Sequence, residues 1–280
     1  MNTNQLNAAQ LNSLQALSGG GAVADFDDLE FDNYSLQDSR IISTIIRDSS
    51  TPARELVTFR APRTDGGGII GNYFRERKIL VSGVVKKDSA ALLETELDTM
   101  KRRLTLAEGN LDRKINGTVR RIKATLSNPD QMFARRDGYH ITICPFDLEF
   151  LALEPMWHDI NYTSSTQTVT NVSFSETVEN LGTYKSQAVL IVIIDTATAI
   201  TAFQFSNTTS SQNLSITRSF SAGDVIIIDG ENKSVKVNGT EVDYTGVFPE
   251  LLYGSNAYSL TATGSAISYI STIKFKKTYL

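Results

Sequence analysis

The alternation of apolar and polar positions is sharpest between Phe74 and Leu126, and the rest of the chain reads outward from there. From Lys78 to Val85, Ile79, Val81 and Val85 point one way and Leu80 and Val84 the other. A period of two with apolar residues on both faces predicts a strand inside a sheet rather than at its edge. The period changes at Asp88-Ser89, where Ser89 is the candidate N-cap. Leu93, Leu97, Met100 and Leu104 then recur at helical spacing as one stripe. Glu94, Glu96 and Asp98 sit early in this helix and Lys101, Arg102 and Arg103 late, as the helix dipole prefers. Gly109 is expected to stop it. Beyond, Leu111 to Ile115 and Thr118 to Leu126 flank Asn116-Gly117, the signature of a two-residue hairpin turn. A helix with one apolar stripe has to lay it on a sheet, so the stretch predicts a compact α+β unit.

Upstream, Arg40–Arg47 and Leu56–Ala61 read as strands separated by the turn-forming Asp48-Ser49-Ser50-Thr51-Pro52. The glycines of Thr64-Asp65-Gly66-Gly67-Gly68 invite a phosphate-loop reading. No Gly-Lys-Ser/Thr and no helix follow them, so they predict a loop between strands. Asp25, Asp27, Asp28, Glu30 and Asp32 interleave with Phe26, Leu29 and Phe31 as an acidic, strand-like entry. Met1–Gly21, ending in Ser18-Gly19-Gly20-Gly21, reads as a flexible extension, with a short docking helix on Leu6, Leu11, Leu14 and Leu17 as the alternative. Downstream, Tyr139–Phe150 alternates again, Pro145 marks a bulge or an edge position, and Trp157 is expected at a seam between domains.

From about Asp159 the pattern turns to short β-type runs: Thr168–Phe174, Ala188–Ile194, Ala199–Ser206, Leu214–Phe220, Val225–Asp229, Ser234–Val237, Ser259–Ala262 and Ile267–Phe275. Ala222-Gly223-Asp224, Asp229-Gly230 and Asn238-Gly239 mark turns between them. Many short strands without a helical period predict an antiparallel sandwich of jelly-roll type. The expected fold is therefore mainly β with a minor α component. Residues 1–24 are the extension, 25–158 an α+β domain and 159–280 the sandwich, a division that suits a chain of 280 residues.

Charge removes some classes of function. Residues 1–160 carry 20 basic and 22 acidic side chains and the remainder 7 and 9, so no basic stripe exists to grip nucleic acid. Cys144 is the single cysteine, which leaves no intrachain disulfide and no cysteine cluster for zinc, and a small buried hydrophobe is expected there. No apolar run reaches the ~18 residues of a membrane span, and the N-terminus lacks the charge and apolar core of a signal peptide, which points to synthesis in a reducing cytosol.

Candidate chemistry is sparse. His140 and His158 stand far apart without carboxylates at metal-ligand spacing, and no Gly-x-Ser-x-Gly elbow occurs. Asp195, Asp224, Asp229, Glu231 and Asp243 are the carboxylates from which a glycosidase pair would come, but acidic residues at strand ends ordinarily serve turns. The Asn-x-Ser/Thr triplets at Asn161, Asn171, Asn207, Asn213 and Asn232 are those expected by chance in so Asn- and Ser-rich a segment. Tyr184, Tyr253 and Tyr258 are the candidate sugar-stacking platform, with core or interface packing as the plainer role. No catalytic residue, metal site or cofactor is expected.

In order and spacing the chain resembles the distal tail proteins of long non-contractile-tailed bacteriophages. The matching features are Asp65-Gly66-Gly67, then Phe74-Arg75-Glu76-Arg77-Lys78-Ile79 leading into Val81-Ser82-Gly83, the helix from Leu93 to Leu104 and the hairpin after it. Further on they are the strand ending at Phe150 and Pro155, the run Ala222–Asp229, Val237-Asn238-Gly239, Phe248-Pro249 and Gly254-Ser255-Asn256. The resemblance spans about residues 26–280 and implies a structural virion protein, not an enzyme. It implies a ring of six copies around a channel that continues the tail tube, formed by the N-terminal domain, with a galectin-like sandwich outside. It further implies contacts with the major tail-tube protein on one face and the tail-associated lysin or hub protein on the other. Receptor-binding proteins would sit at the periphery, at the phage tail tip or baseplate, with DNA only passing through and no membrane insertion. A conduit for DNA suits a mildly acidic chain, so part of the Asp25–Asp32 cluster is expected to face the lumen. The Asn/Gln-rich extension departs from the pattern, and long insertions that act as arms or sugar-binding modules are lacking. Two alternatives remain: a carbohydrate-binding adhesin with the sandwich as lectin, and a glycoside hydrolase, which needs two carboxylates ~5–10 Å apart in a cleft.

Overall fold

The computed structural model describes residues 28–38, 41–48, 51–60, 65, 67–105, 108–115, 117–130, 132–133 and 141–280. The expectations for Met1–Gly21, Asp25, Asp27 and His140 lie outside the described residues. The first part of the chain runs β1 (Leu29–Phe31), β2 (Tyr34–Ser35), β3 (Ile41–Asp48), β4 (Arg54–Phe59), β5 (Gly68–Phe74), β6 (Arg77–Lys86), α1 (Ala90–Leu104), β7 (Gly109–Ile115), β8 (Thr118–Leu126), β9 (Ile143–Ala152) and β10 (Trp157–Asp159). Its main sheet is antiparallel in the order β2-β1-β7-β8-β9-β6-β3.

β6 lies between β9 and β3, so the sequence placed it correctly inside a sheet. Ile79, Val81 and Val85 are buried, whereas Leu80 on the opposite face is 39% exposed, so among the described residues only one face of β6 is closely covered. Pro145 pairs with Val84, and its backbone nitrogen points to the other side of β9. On that side the Asp147 and Glu149 N–H groups bond to Met132 O and Asn128 Oδ1 of a loop, and Pro145, which has no N–H to place, needs no partner there.

The helix begins where expected: Ser89 is extended and its Oγ accepts the Leu92 N–H (3.3 Å), and Leu93, Leu97, Met100 and Leu104 are all buried against the sheet. Two details differ from expectation. The first turn holds no acidic residue, because the helix starts at Ala90. Glu96 is instead a strut, bonded to Lys87 Nζ (2.6 Å) and accepting from Tyr34 Oη (2.8 Å), which ties the helix to β2 and to the residue that follows β6. Gly109 does not stop the helix either. Thr105 caps it through its N–H to Lys101 O (3.0 Å), and Gly109 opens β7, where a Cβ would stand 2.4 Å from Phe31 Cζ. Its lack of a side chain serves close packing under Phe31.

The remainder forms two antiparallel sheets. One runs β11 (Thr163–Val169), β22 (Ala266–Phe275), β13 (Ser186–Thr198), β16 (Val225–Asp229), β17 (Ser234–Val237) and β18 (Thr240–Glu241), with β20 (Glu250–Leu251) beside β13. The other runs β12 (Ser173–Asn180), β21 (Gly254–Thr263), β14 (Ile200–Asn207), β15 (Gln212–Phe220) and β19 (Thr245–Gly246). Their inward rows close a core of Leu190, Phe203, Phe205, Tyr258, Tyr269 and Phe275 among others. The run expected as one strand at Thr168–Phe174 is broken between β11 and β12, which belong to different sheets. The turn at Asn238-Gly239 has φ of 52° and 80°, as its sequence predicts, and Asp32-Asn33 (46° and 62°) makes the same kind of turn without a glycine.

Asn180, Asn207 and Asn256 are completely buried in the sandwich, and their side chains replace missing ladder bonds around Glu250–Gly254. Asn256 Nδ2 donates to Leu252 O (2.7 Å) and Gly254 O (2.8 Å), and its Oδ1 accepts the Leu252 N–H (2.8 Å). Asn207 Nδ2 donates to Glu250 O (2.7 Å). Asn256→Ala would strand those backbone groups, and we expect a loss of about 2–4 kcal/mol in a urea-denaturation measurement.

Candidate functional site

Among the described residues β4 and β5 pair only with each other, as a hairpin inserted between β3 and β6. At about 3.4 Å per residue, the six residues of β4 make it roughly 20 Å long. Every residue of β4 is exposed, and Leu56, Val57, Phe59, Ile69, Ile70 and Tyr73 are open to solvent, with Ile70 at 68%. Between the Val57–Gly71 and Thr58–Ile69 pairs β5 carries one extra residue, Ile70, a bulge that bends it. The Phe59 ring lies across Gly68 and the Tyr73 ring across Gly71, each within 2.4 Å of where a Cβ would stand. Two rings flattened onto bare backbone make a smooth apolar slab. At its root the arm is anchored: Phe74 packs edge-on against Tyr184 (5.6 Å) beneath Arg54 (5.0 Å), and Arg75 donates its N–H to Ala53 O (2.8 Å).

The second notable region is where the chain's end returns. β23 (Thr278–Tyr279) leaves the sandwich and pairs with β10, which pairs with β8 of the first sheet. Tyr279 and Trp157 join the first core, and the Arg120 guanidinium stacks 3.6 Å from the Tyr279 ring centroid. Trp157 thus packs where the two parts meet, as expected. Beside this clasp lies a cleft of about 680 Å3 lined by Arg121, Lys123, His158, Tyr184, Lys185 and Lys276 among others. Its cations are largely committed. Arg121 grips both oxygens of Asp112 (2.7 Å each), and Lys185 holds Glu250 (2.8 Å). Those bonds push both cation pKa values up. Among the described residues no group of three or more His, Cys, Asp or Glu side chains comes together.

The residues singled out from sequence are dispersed. Asp28 is exposed, while Asp32 uses Oδ1 to accept the Asn110 N–H (2.8 Å), a structural task, and Glu30 is half-buried opposite Asp112. Tyr184 braces the arm, Tyr253 is 71% exposed in a turn, and Tyr258 is wholly buried. The Tyr258 ring touches Phe174 and Phe205, and its hydroxyl donates to Glu176 (2.9 Å), so it offers no face to a sugar and the three-tyrosine platform does not form. Asp224 serves a turn, accepting the Ser221 N–H (2.8 Å) and Asn238 Nδ2 (2.7 Å), bonds that hold its carboxyl below the usual range. Asp229 likewise accepts the Glu231 and Asn232 N–H groups. Cys144 is buried. What sequence reading missed was the arm, whose only signal was two apolar runs on either side of a glycine cluster.

Among known protein families, residues 181–279 match the siphovirus-type tail component, C-terminal domain. The fold over 91% of this chain and 100% of the other is that of the Dit protein of phage SPP1, described as a paradigm of hub adsorption apparatus in phages infecting Gram-positive bacteria (TM-score 0.69, 18% identity). The baseplate of phage p2 in its activated conformation, solved with Sr, aligns over 88% of this chain and 98% of that one with a TM-score of 0.42 and 6% identity. The same baseplate with Ca aligns over 90% and 98% with a TM-score of 0.41 and 7% identity. Comparison with curated protein sequences finds no match.

His158 supplies a pH test of the clasp. Burial pushes its pKa below the ordinary value of 6.5, against the opposing pull of Glu154 and Glu231. The unfolded chain therefore binds a proton at about pH 6.5 that the folded chain refuses, and stability falls as pH drops below that value toward the folded pKa. Urea midpoints between pH 7.5 and 5 should decline more steeply for the wild-type chain than for His158→Asn.

Proposed function

We propose, taking as premise a Dit fold that ends in a siphovirus-type tail component domain, that this chain is a structural hub at the distal end of a phage tail, working as a ring of six copies. The observation that carries this reading is the arm. A two-stranded hairpin with apolar side chains exposed along both strands is marginal in water on its own. A neighbouring copy can cover it, and a contact between unlike surfaces of identical chains closes into a ring when its rotation repeats a whole number of times.

In this reading residues 25–158 build the ring and residues 159–280 stand outside it. The channel continues the tail tube and passes DNA at infection. One rim meets the major tail-tube protein and the other the tail-associated lysin or hub protein, while receptor-binding proteins attach around the periphery. Part of the acidic cluster, Asp28 and Glu30 among the described residues, faces the channel, where carboxylates repel a passing polyanion. The chain contributes interfaces and performs no reaction. It is made in the host bacterial cytoplasm and works in the virion, at the tail tip.

Native mass spectrometry and negative-stain images test the reading. The expected species has six times the 30.8 kDa of the chain and a central hole. A chain that stays monomeric even with the tail-tube protein present would overturn it. Replacing Ile69 and Ile70 by Asp should abolish the ring while changing monomer stability by less than about 1 kcal/mol, because both side chains are exposed in the single chain. A ring map placing Asp28 and Glu30 on the outer wall would remove their channel role.

A further inference from the structure

The sandwich treats its two open sides differently. On one side each sheet ends in a strand of two residues, Thr240–Glu241 and Thr245–Gly246. Very short edge strands are a common protection against unwanted strand pairing. On the other side the sheets end in β11, seven residues, and β12, eight residues, each paired with its inner neighbour without a register shift. From Ile160 to Tyr184 there is no Lys, Arg or Pro, and the only charges are Glu176 and Glu179. Neither proline, lysine nor bulge blunts this edge.

The hydrogen-bond phase of β12 is fixed by one contact. Ala262 donates its N–H to Val172 O (2.6 Å), one step before Ser173 pairs with Thr261. Bonded pairs recur at every second residue, so Phe174, Glu176, Val178 and Asn180 turn their peptide groups toward β21. Ser173, Ser175, Thr177 and Glu179 turn theirs outward, and all four residues are exposed.

We propose that the β12 edge is a docking strand that receives an extended segment of a different polypeptide, one carrying Lys or Arg where it passes Glu179. Backbone bonds to the four outward residues would supply the affinity, and the carboxylate the selectivity. A second copy of this chain fits the edge poorly. Antiparallel self-pairing centred on Glu176 sets the two Glu176 residues side by side, and centring it on Thr177 sets each Glu179 beside Ser175, with no cation on either strand to meet a carboxylate. The inference goes beyond the ring reading and stands independently of it.

The test uses the full chain and fluorescently labelled synthetic peptides of eight residues, matching β12. They alternate Val and Thr, with either Lys or Glu at the charged positions. Anisotropy titrations should show saturable binding of the Lys peptide and at least about tenfold weaker binding of the Glu peptide. Residue-resolved hydrogen exchange should show fast exchange at the Ser175, Thr177 and Glu179 amides in the free chain and protection on binding. Thr177→Pro removes an outward N–H without breaking a ladder bond to β21, and should weaken binding at least about tenfold with an unchanged melting temperature. Glu179→Lys should reverse the preference between the two peptides, which keeps the test valid if the proline variant misfolds. No saturable binding by any peptide, equal binding by both variants, or slow exchange of the outward amides in the free chain would overturn the proposal. Loss of self-association in Thr177→Pro would assign the edge to a second copy and overturn it as well.

Discussion

Everything in the first part of the molecule hangs from the antiparallel ladder between β6 and β9, which runs unbroken from Arg77 opposite Ala152 to Lys86 opposite Ile143. Its buried face receives the helix stripe, its far side carries β3, and the arm is what the connection between β3 and β6 becomes once it leaves the sheet. The register is fixed because a slip by one residue would send Ile79, Val81 and Val85 to the open face and Leu80 and Val84 into the core. The direction of the arm follows from that register. A stiff base, buried on its helix side, therefore carries an element that has almost no core of its own.

Polar structure does the corresponding work in the sandwich. Three buried asparagines hold Glu250–Gly254 where strand pairing is thin, and each spends its amide on backbone groups that would otherwise be unsatisfied. Asn207 and Asn256 also bond to each other (3.0 Å), so the segment is held from two strands at once. Asn207 begins one of the Asn-x-Ser/Thr triplets seen in the sequence, and its side chain is wholly enclosed.

How much of this was legible follows from which residues carried a period. The helix was readable to its cap because Ser89 and four apolar residues repeat at helical spacing, and β6 because alternation persisted from Ile79 to Val85. β11 and β12 were misdrawn because Ser, Thr, Gln and Glu fill them, and Val169 and Val178 alone in those strands are fully buried apolar residues. β10 and β23 are three and two residues long, too short to show any period, and their pairing depends on contacts far away in sequence. Tyr258 could have been placed inside from its alternation with Leu260 and Ala262. The exposure of the arm had no sequence signal, because Leu56, Val57, Ile69 and Ile70 look the same whether a neighbouring strand or a neighbouring molecule covers them.

The return of the last strand has a consequence for the order of events during translation. Tyr279 completes the core next to Trp157 and takes up the Arg120 guanidinium, yet the whole sandwich lies between them in sequence. A nascent chain that has already made β1 to β10 still lacks the ring that closes their core. Contacts so distant in sequence form late, after the loop between them has been closed. The first sheet thus reaches its final packing only after the sandwich strands have been made, which delays any stable association through its arm until then.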